Sequence, residues 1–134
     1  MLETLKTWLK TYPQWGDTEI SVDYLPAEPG SAGLYQRGLQ ELGRKADLLG
    51  NVTVSCRYRF LLRLMVQSGE SWLPDFQQWV QCQSALGLTP RFGDVPEGER
   101  LQAVNGRLKE ASQPGTGVFE VELVADFIKK YEEK

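Results

Sequence analysis

Two sets of charged side chains carry the spacing from which chemistry could come. Arg57, Arg59 and Arg63 fall on odd positions of one stretch, and Glu120, Glu122 and Asp126 on even positions of another. On a strand, Glu120 and Glu122 would stand roughly 7 Å apart on one face. Paired carboxylates can share general acid–base work, but on an alternating strand they are also the ordinary polar face. Two arrangements of the arginine and acidic sets are open. If the stretches are antiparallel neighbours, opposite charges meet across the ladder, each pair contributing roughly 0.2–1 kcal/mol. Otherwise one face meets an adjacent subunit, where charge complementarity sets register and partner choice more than affinity. On that second arrangement the candidate interface residues are Arg57, Arg59, Arg63, Glu120, Glu122 and Asp126.

The other ingredients of catalysis are missing. The sequence has no histidine, which removes the commonest general base, the commonest metal ligand and every nucleophile–histidine pair. No glycine pattern has the layout of a phosphate cradle, and no zinc or calcium spacing is present. Cys56 and Cys82 stand far apart without a CxxC motif, and Cys56 reads as a small buried hydrophobe. We therefore expect no catalytic residue, no cofactor, no metal and no enzymatic activity. The net charge of −3 disfavours general nucleic-acid binding, which runs on basic patches, and leaves only a local patch open. Sequence-specific nucleic acid is not an expected partner. No apolar run approaches the roughly 20 residues that span a bilayer, so no membrane partner is expected. The first residues, MLETLKTWLKTY, lack a signal layout, which points to cytosolic synthesis.

The elements that must position these charges follow from periodicity. From Val52 to Val66 the even positions are all apolar or aromatic, and the odd ones are mostly polar. A period of two over this length predicts a long strand with one face on the core. Leu2–Tyr12 has apolar residues at spacings of three and four and is stopped by Pro13, an amphipathic helix. Trp15-Gly16-Asp17 reads as a turn and Ile20–Leu25 as a short strand. Pro26–Gly33 reads as a loop and Gly33–Arg37 as a brief strand; Leu39–Leu49 fits a helix interrupted by Gly43 or a strand, and the strand is favoured because a two-residue Gly50-Asn51 turn then closes it onto the long one.

Ser71 is a candidate N-cap for a second helix ending at Gly87, with Trp72, Phe76, Trp79, Val80, Gln83 and Leu86 on its apolar stripe. Trp72, Phe76 and Trp79 are expected to be buried with the even positions of the long strand. Thr89–Glu99 reads as a loop, Leu101–Ala111 as a strand and Ser112–Gly117 as a turn. In Leu101–Ala111, Ala103, Asn105, Arg107 and Lys109 share one face. Val118–Ile128 is the last strand, with Phe119, Val121, Leu123, Ala125 and Phe127 on its apolar face. The charged tail from Lys129 to Lys134 is expected to fray. Together these predict one domain over 1–134 of α+β class, in the order α-β-β-β-α-β-β. A single mixed, mostly antiparallel sheet carries two helices packed on one face.

The helix LETLKTWLKTY, the strand VTVSCRYRFLLRL, the helix SWLPDFQQWVQ and the ending GVFEVELVADFIKKYEE resemble the minor capsid and tail-completion (tail terminator) proteins of long-tailed phages and Gram-positive prophages. The likeness covers most of the chain as an order of elements and apolar positions, without a short diagnostic motif. It implies a compact α+β fold and a non-enzymatic virion assembly protein. Such a subunit would act in tail completion or head–tail joining as a homo-oligomeric ring. Its implied partners are itself, tail-tube proteins and head-connector proteins. Its implied location is the virion, and the host cytoplasm during assembly. The alternatives from other classes are a small bacterial α+β binding module for a peptide or small ligand, and an enzyme working with carboxylates alone.

Overall fold

The structure is a computed structural model, and it describes residues 2–13, 20–23, 32–67, 72–113 and 116–132. Helix α1 (Leu2–Leu9) is followed by strands β1 (Ile20–Val22), β2 (Ala32–Ala46) and β3 (Val52–Gln67). Then come helix α2 (Trp72–Ala85), a 3-10 turn at Pro96–Gly98, and strands β4 (Arg100–Gln113) and β5 (Thr116–Tyr131). The strands form one sheet in the order β1-β2-β3-β5-β4, antiparallel except for the parallel pair β1 and β2. The α+β class and the mixed, mostly antiparallel sheet are as the sequence predicts.

Alternation places the core. Val54, Cys56, Phe60, Leu62 and Leu64 of β3 are buried, as are Val121, Leu123, Ala125 and Phe127 of β5. Against this face lie Leu5, Trp8 and Leu9 of α1 with Tyr12 beyond it, and Phe76 and Val80 of α2. Trp8 stacks on Trp79 at 4.7 Å between ring centroids, and Tyr12 meets Phe76 edge-on at 5.4 Å. Both helices therefore cover the same face, as expected. Trp79 itself is only half-buried at the helix–helix seam. The side chain of Trp72 lies outside the described residues.

Helix α1 is shorter than the Leu2–Tyr12 pattern. Its last turn tightens, with the amides of Thr11 and Tyr12 donating to the carbonyls of Trp8 and Leu9 ahead of Pro13. Helix α2 ends in a Schellman motif. The Leu88 amide donates to the Gln83 carbonyl at 2.9 Å, the Gly87 amide to Ser84 at 3.2 Å, and Gly87 takes φ +70°. Leu86 falls in this cap and is exposed, outside the buried stripe where the spacing had placed it.

Several expectations are corrected. The segments Gly33–Arg37 and Leu39–Leu49 are one strand, β2, whose register steps at two bulges near Gly38 and between Glu41 and Gly43. Gly38 takes φ +120°, which lets the bulge form without breaking the strand. The hairpin into β3 is a loop over 47–51 rather than a two-residue turn, since Ala46 pairs with Val52. Asp47 organises it: its Oδ1 accepts from the amides of Leu49 and Asn51 at 2.9 and 3.0 Å, and Gly50 alone takes the left-handed angle.

Strand β4 does not alternate regularly. Between Val104 and Arg107 the register slips, with Asn105 at φ +56°, so Ala103 joins the core while Arg107 lies on the opposite face. Lys129–Tyr131 do not fray but pair with Val52–Val54 of β3. The Asp94 carboxylate accepts from the Lys130 amide and the Asp94 amide donates to the Ile128 carbonyl. The segment Thr89–Glu99 is thus pinned rather than free. Phe92 plugs the core beside Phe60 and Phe127, and the Glu99 carboxylate accepts from the amides of Phe92 and Gly93 at 3.0 and 2.6 Å. Gly93 permits this because a Cβ there would meet the Ile128 backbone. Gln113 pairs with Thr116, so both strands run into the Ser112–Gly117 segment expected as a turn, up to residues 114–115. Those two residues, Trp15–Asp17, Pro26–Ser31 and the N-cap position Ser71 lie outside the described residues.

Candidate functional site

The face away from the helices is built by the other half of each alternation. Odd residues of β3 and even residues of β5 point there, and the two strands are antiparallel neighbours in register. Arg57 stands opposite Asp126 and Arg63 opposite Glu120. Arg57 grips Asp126 with both nitrogens of its fork, Nε to Oδ1 at 2.7 Å and Nη2 to Oδ2 at 3.1 Å. Such bidentate pairs are the stronger kind. Arg59 reaches diagonally, its Nη1 donating to Glu122 Oε1 at 2.7 Å. Arg63 Nε donates to Glu120 Oε2 at 3.0 Å.

Strand β4 supplies the second flank. Arg107 Nη2 donates to Glu120 Oε1 at 3.2 Å, and Asn105 Nδ2 to Glu122 Oε2 at 3.1 Å. Arg100 stands opposite Asp126 in the register. The central strand β5 therefore carries a spine of three carboxylates with cationic or amide groups on both sides. Glu120, between two guanidiniums, is 5% exposed. The hydrogen bond from Arg59 holds the Glu122 carboxyl below the usual glutamate range despite its partial burial, with Asn105 and the charges of Arg59 and Arg37 assisting. Arg57 is raised in turn by its hydrogen bond to Asp126.

Beneath the charges, Leu61 and Val124 are buried. Arginine stems lying along a sheet can seal apolar side chains in this way. The Arg63 guanidinium sits 5.0 Å over the Tyr35 ring. A shallow cavity of about 560 Å³ is lined by Arg37, Arg59, Arg107 and Glu122 among others. A second groove, of about 850 Å³, runs between α2 and β4 and is lined mainly by neutral side chains such as Gln77, Gln81 and Ser84.

All six residues singled out in the sequence are brought together, and they meet as partners within one subunit, the first of the two arrangements left open. Sequence reasoning missed Arg37, Arg100, Asn105 and Arg107 as members of this face. The available signal was Asn105-Gly106, a turn pair inside a strand pattern, which marks a bulge and a change of face. Cys56 is buried, and burial pushes its thiol up, while Cys82 is exposed; both are free. Among the described residues no group of three or more histidine, cysteine, aspartate or glutamate side chains could hold a metal ion. No helix among them is long and apolar enough to cross a membrane. Compared with known proteins, the chain matches no protein-family model and no curated protein.

Proposed function

We propose that this chain is a non-enzymatic virion assembly protein, a tail-completion (tail terminator) or head–tail joining subunit that acts as a homo-oligomeric ring. Its partners in this reading are its own copies, the tail tube and the head connector. It resides in the virion, and in the host cytoplasm while assembly proceeds.

The observation that carries the reading is the uncovered end of the β2–β3 hairpin. From Gln36 to Leu49 every residue is exposed, including Leu39, whose position opposite Tyr58 places it on the helix side. Leu42 is exposed too, and at the tip Leu48 and Leu49 are 105% and 81% exposed. Leu34, Leu61, Leu62, Leu64, Leu101 and Leu123 of the sheet are buried, so four exposed leucines on one arm, beside the Glu41–Arg44 ion pair, are unusual. Apolar groups gathered on an exposed element mark interaction sites. A closed ring needs a head-to-tail contact between unlike patches on identical subunits, and an arm reaching into a neighbour supplies one side of it. The six ladder residues already satisfy each other within the subunit, which leaves the arm as the better ring contact. The order of elements, with both helices on one face, agrees with the fold that the resemblance implies.

Sedimentation with and without purified tail tubes tests this. The parent is expected to associate weakly alone and to co-sediment with tubes. Leu48→Asp/Leu49→Asp is expected to melt like the parent and to lose co-sedimentation. A parent that neither self-associates nor binds tubes overturns the ring, and a double variant that still co-sediments overturns the arm as its contact.

A further inference from the structure

The open sheet face carries more cations than its ion ladder uses. Arg57, Arg59, Arg63 and Arg107 are spent on Glu120, Glu122 and Asp126. Four further cations share the face. Lys45 and Lys130 both stand opposite Thr53, Arg100 stands opposite Asp126, and Arg37 lines the cavity with Arg59. All four are exposed, and none makes an ion pair among the described residues. On the described strand positions, eight cations face four carboxylates, Glu110 opposite Val118 joining the three of the ladder, a surplus of four. In a chain of net charge −3 that leaves −7 for everything else. The charge is segregated, and the segregation is steeper than the count suggests. The ladder carboxylates lie low, with side-chain exposures of 6–25%, while the arginines that cover them are 29–64% exposed. The layer a partner would meet is guanidinium and ammonium.

From this we infer that the open sheet face binds the phosphate backbone of double-stranded DNA without regard to sequence. Three features select this occupant. The guanidinium fork matches phosphate geometry, and arginine is the commonest cation here. Leu61 and Val124 on the face are sealed, and Val104, Val118 and Ile128 are partly covered, so these positions offer no fully exposed apolar anchor of the kind around which a protein interface is built. The aromatic ring on the face, Tyr35, is capped by Arg63, so there is no platform for unstacked bases and single strands gain nothing over a duplex. A flat charged sheet that touches only phosphates positions a duplex and reads no bases. The inference concerns the single subunit and does not depend on ring formation.

The test is fluorescence anisotropy with a labelled short duplex of arbitrary sequence. The four cations outside the ion pairs predict a slope of log affinity against log salt of about −3.6, hence roughly 150-fold weakening between about 50 and about 200 mM salt. Unrelated duplexes are expected to bind alike, and the single strand more weakly. Arg37→Gln/Lys45→Glu/Lys130→Glu brings no new carboxylate beside Glu122 and is expected to melt close to the parent while losing at least tenfold in affinity, roughly one decade being modest for three phosphate contacts. The milder Lys45→Gln/Lys130→Gln is expected to flatten the salt slope by about two. Absence of duplex binding at low salt overturns the inference. So does a triple variant that binds like the parent, or polyglutamate binding more tightly than the duplex, which would make an acidic protein the occupant.

Discussion

Reversing Arg59 to glutamate separates architecture from assembly in one molecule. Arg59 and Glu122 are joined at 2.7 Å and both are half-buried. Losing an ion pair of this exposure costs about 1 kcal/mol, the upper end for exposed pairs. The new glutamate then faces Glu122 across the same gap. Two like charges about 4 Å apart repel by about 1 kcal/mol in bulk water and about 4 kcal/mol near a protein surface. With partial solvent screening, and with Arg37 and Asn105 beside Glu122, about 1–2 kcal/mol is the appropriate share. The total is about 2–3 kcal/mol. For a chain of this length each kcal/mol moves the melting temperature by about 3–4 °C, so a fall of about 7–10 °C is expected. The charge-swapped pair Arg59→Glu/Glu122→Arg should recover more than half of that fall, and circular dichroism melts of the four members of the cycle measure the coupling. If Arg59→Glu melts within about 2 °C of the parent, or the swap recovers nothing, the ladder adds no stability and its ion pairs are energetically idle. Sedimentation of the same variant with tail tubes reports on assembly independently. Because the hairpin arm, and not the ladder, makes the proposed ring contact, co-sedimentation is expected to survive.

Two further outcomes follow from burial and titration. Phe76 is fully buried against the sheet, so Phe76→Ala should cost about 3–5 kcal/mol in chemical denaturation; Trp79→Ala, at the half-open seam, should cost clearly less, and the reverse ranking would misplace the centre of the core. Glu122 and Asp47 are both held below their ordinary carboxyl range, Glu122 chiefly by the Arg59 hydrogen bond and Asp47 chiefly by the amide of Asn51. The unfolded chain then takes up protons at a higher pH than the folded one, so stability is level above the ordinary values and falls as pH drops below them. Melting temperatures should hold from neutral pH to about 5 and then decline, and Glu122→Gln should show a shallower decline.

The faces of the elements were legible in the sequence, and their neighbours were not. A strand's two faces follow from alternation, a local property of extended backbone. Val52–Gln67 and Thr116–Tyr131 therefore announce which side chains enter the core and which stay charged. The stripes of the two helices are legible for the same reason. Which strand lies beside which is decided elsewhere. Arg57 and Asp126 are 69 residues apart and Arg63 and Glu120 are 57 apart, and periodicity carries no information over such distances. The ladder exists because β3 and β5 pair in one register along their full length, and only burial of both apolar faces against the same helices sets that register.

Local irregularities were similarly hidden. Gly38 and Asn105 mark bulges that keep β2 continuous and turn Arg107 to the open face, and a bulge shows its consequence only when a partner strand is there to be out of step with. Lys129–Tyr131 look like a fraying tail in isolation and become strand because Val52–Val54 and Asp94 supply their hydrogen bonds. The charge on each strand face is a property of the chain's own alternation, present before any strand finds its neighbour. That the carboxylates lie low between two columns of arginines is a tertiary property, since only side-by-side pairing lets the longer guanidinium arms close over the shorter acids.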